Sequence, residues 1–384
     1  MNNIWSEIAS QIKELYIPRD IVPLHTPTFI GNEEQYVVDC IRTGWVSSVG
    51  KYVDVFEKKL AEFTGVKRAV AVVNGTAALH MALKVAGVQE NDEILIPSLT
   101  FVATANAVRY CQAVPHFIDV SDKTLGIDAE KLEAYLQEIT MTRDNVCVNK
   151  HTGRVIRAVI PMHTFGHPVE IEKLINTCEK YRLLMIEDAA ESLGSYYQGT
   201  HTGNFGKVAA ISFNGNKIIT TGGGGAILTN DEELANYAKH LTTTAKLPHR
   251  WQYNHDEVGY NYRLPNLNAA LGCAQLENLP VLLERKRELT NYYEQIFCDF
   301  QGVTLFKEPS YAKSNYWLQT LVIDDKKFEI NETLEVLNNY GIMARPIWTP
   351  LHYLVPFRHF PKSDLTATEK LEKKVINIPS SPII

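Results

Sequence analysis

The chain has 384 residues, 45% of them hydrophobic, and a formal net charge of −6 from 38 Lys and Arg against 44 Asp and Glu. That size supports a sizeable core, one large domain and a smaller one. The mild acidity offers nucleic acid no global field, so an anionic substrate must be met by a local cluster.

Residues 1–18 open the chain with Ile4, Trp5, Ile8, Ile12, Leu15 and Tyr16 at helical spacing, while Glu7, Lys13 and Glu14 interrupt any apolar run long enough for secretion or spanning. This predicts a packing or dimer helix on a cytoplasmic protein with no membrane segment. Short apolar runs then predict seven strands, near 68–73, 93–97, 114–118, 155–162, 183–187, 208–213 and 225–229, and helical periods at 77–86, 128–137, 169–181 and 231–241 alternate with several of them. The pattern is that of an α/β protein with a mostly parallel sheet between helices, whose ligands bind beyond the strand ends. The polar stretch 142–152 predicts a surface hairpin or loop. A long helix over 266–297, with a break at Pro280, leads into a smaller α/β domain around 316–323, 331–340 and a segment at Arg345. The expected division is a lead-in at 1–23, a large domain at 24–265, and a connecting helix with the small domain at 266–384. Cys40, Cys111, Cys147, Cys178, Cys273 and Cys298 lack paired spacing, which argues against zinc or a disulfide framework and for reduced thiols. The histidines have no metal spacing either, and no metal is expected.

Three places along this pattern carry chemistry. Arg68-Ala69-Val70-Ala71-Val72-Val73 runs through Asn74-Gly75-Thr76 into a helix; such a junction leaves free N–H groups and the positive end of a helix dipole aimed at one spot, where a phosphate can sit. Gly75 and Thr76 are the phosphate candidates. Leu183-Leu184-Met185-Ile186 runs into Glu187-Asp188, a buried strand delivering Asp188 to the edge of a site, where a buried carboxylate needs a cationic partner. Ser212-Phe213-Asn214-Gly215-Asn216-Lys217 places a lysine just beyond a strand end, and partial desolvation lets a lysine amine condense with an aldehyde. Pyridoxal phosphate has the aldehyde, the phosphate and the ring nitrogen that these three features ask for.

These residues, with Asn74-Gly75-Thr76-Ala77-Ala78-Leu79, Pro97-Ser98-Leu99-Thr100-Phe101-Val102-Ala103-Thr104-Ala105-Asn106, Glu187-Asp188-Ala189-Ala190-Glu191-Ser192 and Gly259-Tyr260-Asn261-Tyr262-Arg263 in the same order, resemble the DegT/DnrJ/StrS sugar aminotransferases over about residues 24–353. The resemblance implies the type I fold of pyridoxal phosphate enzymes. It implies Lys217 as covalent anchor and proton shuttle, Asp188 against the pyridine nitrogen, and Gly75, Thr76 and Ser212 on the phosphate. Phe101 would stack on the ring. Glu191, where relatives often carry glutamine, would lie near the ring or its phenolic oxygen, protonated or otherwise paired. Asn261 would reach the phosphate of a second subunit's cofactor, making a homodimer with shared sites. Relatives commonly carry a glutamate where this chain has Gly223.

For substrates the resemblance implies L-glutamate as donor and a nucleotide-linked 4-keto-6-deoxy sugar as acceptor. Thr43-Gly44-Trp45-Val46-Ser47-Ser48-Val49-Gly50-Lys51, His163-Thr164-Phe165-Gly166-His167-Pro168 and the four glycines at 222–225 are most similar to enzymes that aminate C4 of a UDP-linked N-acetyl keto-hexose in legionaminic acid synthesis; GDP-4-keto-6-deoxymannose is the rival acceptor. Trp45 either stacks on a sugar or plugs the core. His163 is a cleft residue or part of a capped turn. Arg263 pairs with a phosphate or with an acid in a dimer interface. Arg345 and His352, between prolines in Ala344-Arg345-Pro346-Ile347-Trp348-Thr349-Pro350-Leu351-His352, suit a binding loop. Two other classes fit worse. A pyridoxal phosphate-binding regulator of DNA would need a basic helix-turn-helix, and none precedes the core; a nicotinamide-dependent dehydrogenase would place its glycines after a strand, whereas 222–225 precede one.

Overall fold

A computed structural model describes residues 2–16 and 19–383. Seven strands form the central sheet: β1 (Arg68–Val72), β2 (Glu93–Pro97), β3 (Val114–Ile118), β4 (Ile156–Val159), β5 (Leu184–Asp188), β6 (Val208–Ser212) and β7 (Gly225–Thr229), in the order β1-β7-β6-β5-β4-β2-β3. Neighbours run parallel except β7, which is antiparallel to both β1 and β6. The strands are mostly apolar because both faces are covered, with His116 and Arg157 the polar exceptions inside β3 and β4, and alternate residues feed opposite cores. Val70, Val72, Ile94 and Ile96 pack with the helices Gly75–Val85, Val102–Tyr110 and Glu232–Thr242. Ala69 and Ala71 face the helix Lys51–Thr64 and the long helix Asn266–Phe297, while Leu95, Val159 and Met185 face the helices Ala129–Ile139 and Ile171–Tyr181. Since β7 reverses direction between them, β1 and β6 point the same way as β5. Their three carboxyl ends meet at one edge.

The predicted break at Pro280 is absent: the helix Asn266–Phe297 runs through it. Pro280 is exposed, and the packing of Leu276, Leu279 and Leu282 on the other side carries the helix across it. The polar 142–152 stretch contributes to a hairpin, Thr140–Arg143 against Val146–Asn149, whose two connecting residues Asp144 and Asn145 have φ of 50° and 67°, the left-handed pair that a two-residue hairpin turn requires. Beyond the long helix, β8 (Val303–Leu305), β9 (Gln319–Ile323), β10 (Arg345–Pro346) and β11 (Val375–Ile378) form an antiparallel sheet in the order β8-β9-β11-β10. Five of the six cysteines are buried and Cys298, just past the long helix, is exposed.

The N-terminal helix spans Asn2–Leu15; positions 1, 17 and 18 of the predicted period lie outside the described residues. It adds Trp5, Ile8 and Ile12 to one buried cluster with Tyr293, Leu321, Leu337 and Ile342. No helix among the described residues is long and apolar enough to cross a membrane. Ile8 is 0% exposed, so Ile8→Ala is expected to destabilise the protein by about 2–5 kcal/mol, measured as a lower denaturant midpoint; a midpoint equal to wild type would place this helix outside the cooperative core.

Candidate active site

Where β1 ends, Asn74 accepts a hydrogen bond from the Ala77 N–H at 2.8 Å and starts the helix Gly75–Val85. This cap leaves the earlier N–H groups of the first turn for a ligand. A Cβ on Gly75 would stand 2.8 Å from the Cβ of Ser212, so the missing side chain lets the helix start abut the end of β6. Asn74, Gly75, Thr76, Phe101, Asp188, Glu191, Ser212 and Lys217 line one cavity of about 290 Å³.

Asp188 is 2% exposed, and strand alternation turns its carboxylate to the face opposite Glu187. Its oxygens accept from the Thr104 hydroxyl at 2.7 Å and the Ala190 N–H at 3.2 Å. Burial raises its pKa above the usual carboxylate range, with Thr104, Ala190 and the Lys217 charge opposing. Among the described residues no cation is within ion-pair distance of it. Glu187 is satisfied without any ligand: it accepts from the N–H groups of Gly203, Phe205 and Gly206 at 2.8, 2.8 and 2.7 Å and meets His163 Nε2 at 3.1 Å. Burial opposes its ionisation, but His163 and these N–H groups hold its pKa below the usual range.

Lys217 Nζ stands 3.2 Å from Glu191 Oε1 and 3.7 Å from the centre of the Trp317 ring. The other oxygen of Glu191 accepts from the Phe165 N–H at 2.9 Å. Burial pushes the Glu191 pKa up to about 7 against the pull of Lys217 and Phe165, so the pairing expected for a carboxylate at this position is supplied by Lys217. Phe101, 51% exposed, presents its ring at the cavity.

Several predicted contacts lie elsewhere. His163 is 0% exposed and bonded to Glu187; it follows β4 but its ring turns away from the cavity, so it supports β5 rather than lining a cleft. His352 is also buried, between Ser98 Oγ at 2.8 Å and Glu369 at 3.2 Å, and ties the C-terminal segment to the loop that presents Phe101. Arg345 is exposed and bonded to Asn338 and the Ala344 carbonyl. Trp45 is 56% exposed, which removes the core reading, and it lines a separate cavity with Lys51, Tyr52 and Asn266. Asn261 is exposed, with its Oδ1 accepting from the Arg263 guanidinium at 3.1 and 2.9 Å, and neither residue lines the Lys217 cavity. A Cβ at Gly223 would meet nothing within 4 Å, so no close contact requires glycine at this position. Sequence reasoning assigned no role to Trp317, Trp348 or Thr104. Trp317 and Trp348 line the cavity beside Lys217; no local pattern around Trp317 announces that long-range placement, whereas Trp348 stood inside the 344–352 segment read as a binding loop and Thr104 inside a quoted motif, one helical turn past Phe101.

The cavity fits pyridoxal phosphate on its own chemistry. It offers helix N–H groups and the Ser212 hydroxyl for a phosphate, a buried carboxylate lacking a cation for a protonated ring nitrogen, a flat exposed ring and a primary amine. Fold and site together define a pyridoxal phosphate-dependent enzyme. Residues 27–384 match the DegT/DnrJ/EryC1/StrS aminotransferase family, and the chain belongs to that family. It is 40% identical over 331 residues, 86% of this chain and 82% of the relative, to EpsN of Bacillus subtilis (strain 168), named as a pyridoxal phosphate-dependent aminotransferase. It is 36% identical to the GDP-perosamine synthase of Caulobacter vibrioides over 95% of this chain and 94% of that one. The solved structure of Helicobacter pylori PseC, an aminotransferase involved in the biosynthesis of pseudoaminic acid, superposes with a TM-score of 0.84 at 26% identity, covering 94% of this chain and 93% of that one.

The shifted Glu191 gives a pH test. Its pKa rises from the model-peptide value of 4.5 to about 7 on folding, so between these values the folded chain holds a proton that the unfolded chain has released. The contribution to stability is full below 4.5 and is lost as pH rises through about 7. In the cofactor-free protein Glu191→Gln is expected to flatten the fall in melting temperature between about pH 5 and about pH 8; a fall as steep as in wild type would show that another group causes it.

Proposed function

We propose that the protein moves an amino group from L-glutamate to C4 of a nucleotide-linked 4-keto-6-deoxyhexose, and that the acceptor is the UDP-linked N-acetyl sugar used for legionaminic-type surface polysaccharide. The observation that carries the reaction class is the meeting of the Lys217 amine and the cation-free Asp188 carboxylate in one cavity, beside the open helix start at Gly75. The UDP-linked acceptor is supported by the Trp45, His163 and four-glycine motifs. A GDP-linked 4-keto-6-deoxymannose acceptor is the second reading, favoured by 36% identity to a GDP-perosamine synthase over nearly the whole chain.

Pyridoxal phosphate, when bound, supplies an electron-poor ring that accepts the electron pair left at the substrate carbon. Gly75, Thr76 and Ser212 would hold its phosphate, Phe101 would pack against its ring, and Asp188 would keep its ring nitrogen protonated. Lys217 would anchor the cofactor, and its amine, once free, would take the proton from the donor's α-carbon and deliver one to C4 of the acceptor. Glu191 orients that amine from 3.2 Å. Trp317 and Trp348 line the cavity, with Phe165 packed on Trp348 at 4.8 Å between ring centres, and would keep water from the reacting carbon. Glutamate reacts first and leaves as 2-oxoglutarate before the keto sugar enters.

Two copies complete two sites in this reading. It is supported by Asn261 and Arg263, which bond to each other and do not line their own chain's cavity. Restored activity on mixing Lys217→Ala and Asn261→Ala chains would support sharing, and no restoration would overturn it.

The acceptor is tested by assaying UDP-linked and GDP-linked keto sugars with glutamate; turnover of the GDP sugar alone would replace the first reading by the second, and turnover of neither would remove both. Lys217→Ala is expected to lower the rate by more than about a thousandfold, since positioned acid–base catalysis alone contributes about a hundred- to ten-thousandfold and the anchor is lost with it. Asp188→Asn is expected to slow proton abstraction and weaken cofactor retention, measured by single-turnover kinetics and by dialysis. Wild-type behaviour there would dissociate Asp188 from the ring nitrogen.

A further inference from the structure

Trp317 enters the cavity from the small domain, a hundred residues from the lysine it covers, and four independent contacts fix it there. Its ring centre is 3.7 Å from Lys217 Nζ. Its indole N–H donates to the carbonyl of Asn216, the residue before Lys217, at 2.6 Å. Its main-chain N–H donates to Asn315 Oδ1 at 2.8 Å, and the amide nitrogen of Asn315 donates in turn to the carbonyls of Glu191 and Leu193 at 2.8 and 2.9 Å. Its carbonyl accepts from Lys286 Nζ at 2.8 Å.

Lys286 is unusual in its own right. It lies on the long helix with 0% exposure, no carboxylate among the described residues is within ion-pair distance, and its Nζ donates to the carbonyls of Trp317 and Ser380. Burial holds its pKa well below the ordinary lysine range, and a neutral amine has two N–H bonds to give, the number of carbonyls it meets. A buried amine of this kind is costly unless its donors are used. A hydrophobic residue could fill the space without that cost, so the polar contact to Trp317 is the part that asks for an explanation.

Backbone strain marks the same place. Tyr316, immediately before Trp317, has φ of 48°, and Phe165, whose N–H binds Glu191, has φ of 54°. Aromatic residues rarely adopt the left-handed region, and such conformations persist where surrounding contacts over-determine them. Both lie one bond network away from the Lys217–Glu191 pair.

We propose that Trp317 is the positioning residue of Lys217, its indole face and the Glu191 carboxylate holding Nζ between them, and that Lys286 fixes Trp317 from behind. A lysine head group over an indole face is attracted by the ring quadrupole, so the amine is kept in one place whenever it is not joined to the cofactor. The role rests on the reading of Lys217 as the reacting amine. It concerns the amine before any substrate is present.

The test uses the cofactor-free full-length protein, treated with trinitrobenzenesulfonate, which reacts with unprotonated amines, and mapped by peptide for modification at Lys217 relative to exposed Lys58. Trp317→Leu is expected to speed modification of Lys217 by about 2- to 30-fold, the range that exposed and desolvated cation–π contacts span, and Trp317→Phe, which keeps a weaker ring and loses the bond to Asn216, to fall between. Lys286→Met should change the rate in the same direction, while Lys286→Gln, with two uncharged N–H donors, should bring it back towards wild type. That rescue separates a positioning role from simple filling of the core. Unchanged modification in folded Trp317→Leu and Lys286→Met proteins would overturn the proposal. Should Trp317→Leu fail to melt cooperatively, Trp317→Phe decides, and a wild-type rate there would overturn it equally. Since no sugar and no donor enters the experiment, its failure leaves the choice of acceptor untouched, and an inactive enzyme with the expected labelling would fault the proposed reaction alone.

Discussion

The rest of the site depends on one constraint: a carboxylate is buried at the end of a parallel strand with only neutral donors around it. Asp188 accepts from a threonine hydroxyl and a main-chain N–H, enough to satisfy its hydrogen-bonding capacity in part and too little to balance a charge in a low-dielectric surrounding. Burial accordingly raises the pKa of this carboxyl above the usual range. A bound cationic ring relieves the imbalance. Folding therefore leaves an electrostatic demand that only a ligand of the right charge answers, and the cavity selects its cofactor by that demand as much as by its shape.

The neighbouring acid shows how little sequence distance separates structure from chemistry. Glu187 and Asp188 are adjacent, yet the two-residue period of the strand sends one into a cage of three main-chain donors and a histidine and the other into the cavity. The first is complete by itself and locks the turn at 203–206 to β5; the second is left open. With His163 spent on Glu187, the histidine that looked like a cleft residue acts one layer below the site.

What could be read from the chain followed from local periodicity and from motifs that fold onto strand ends. All seven sheet strands were visible as apolar runs, because a sheet covered on both faces imposes that pattern residue by residue. Gly75, Ser212, Asp188 and Lys217 were legible for a related reason, since each lies within a few residues of a strand terminus and parallel strands must end together. Trp317 and Lys286 were not, and Trp348 was legible only as part of a loop segment. Trp317 and Trp348 reach the cavity from a hundred or more residues beyond Lys217, and Lys286 meets carbonyls 31 and 94 residues away; such long-range placements leave no spacing to read. Pro280 misled for the opposite reason, because a local rule about helix breaking was outweighed by the burial of Leu276, Leu279 and Leu282 on the packed side of the same helix.

The distribution of thiols has a practical side. Cys40, Cys111, Cys147, Cys178 and Cys273 are sealed in the interior, whereas Cys298 faces water at the junction of the long helix and the small domain. A maleimide dye or spin label added to the native protein would attach at that single point, giving a reporter on the smaller lobe without engineering. Left in air without a reductant, the same sulfur is where two molecules would become covalently joined, in a pairing unrelated to any biological assembly.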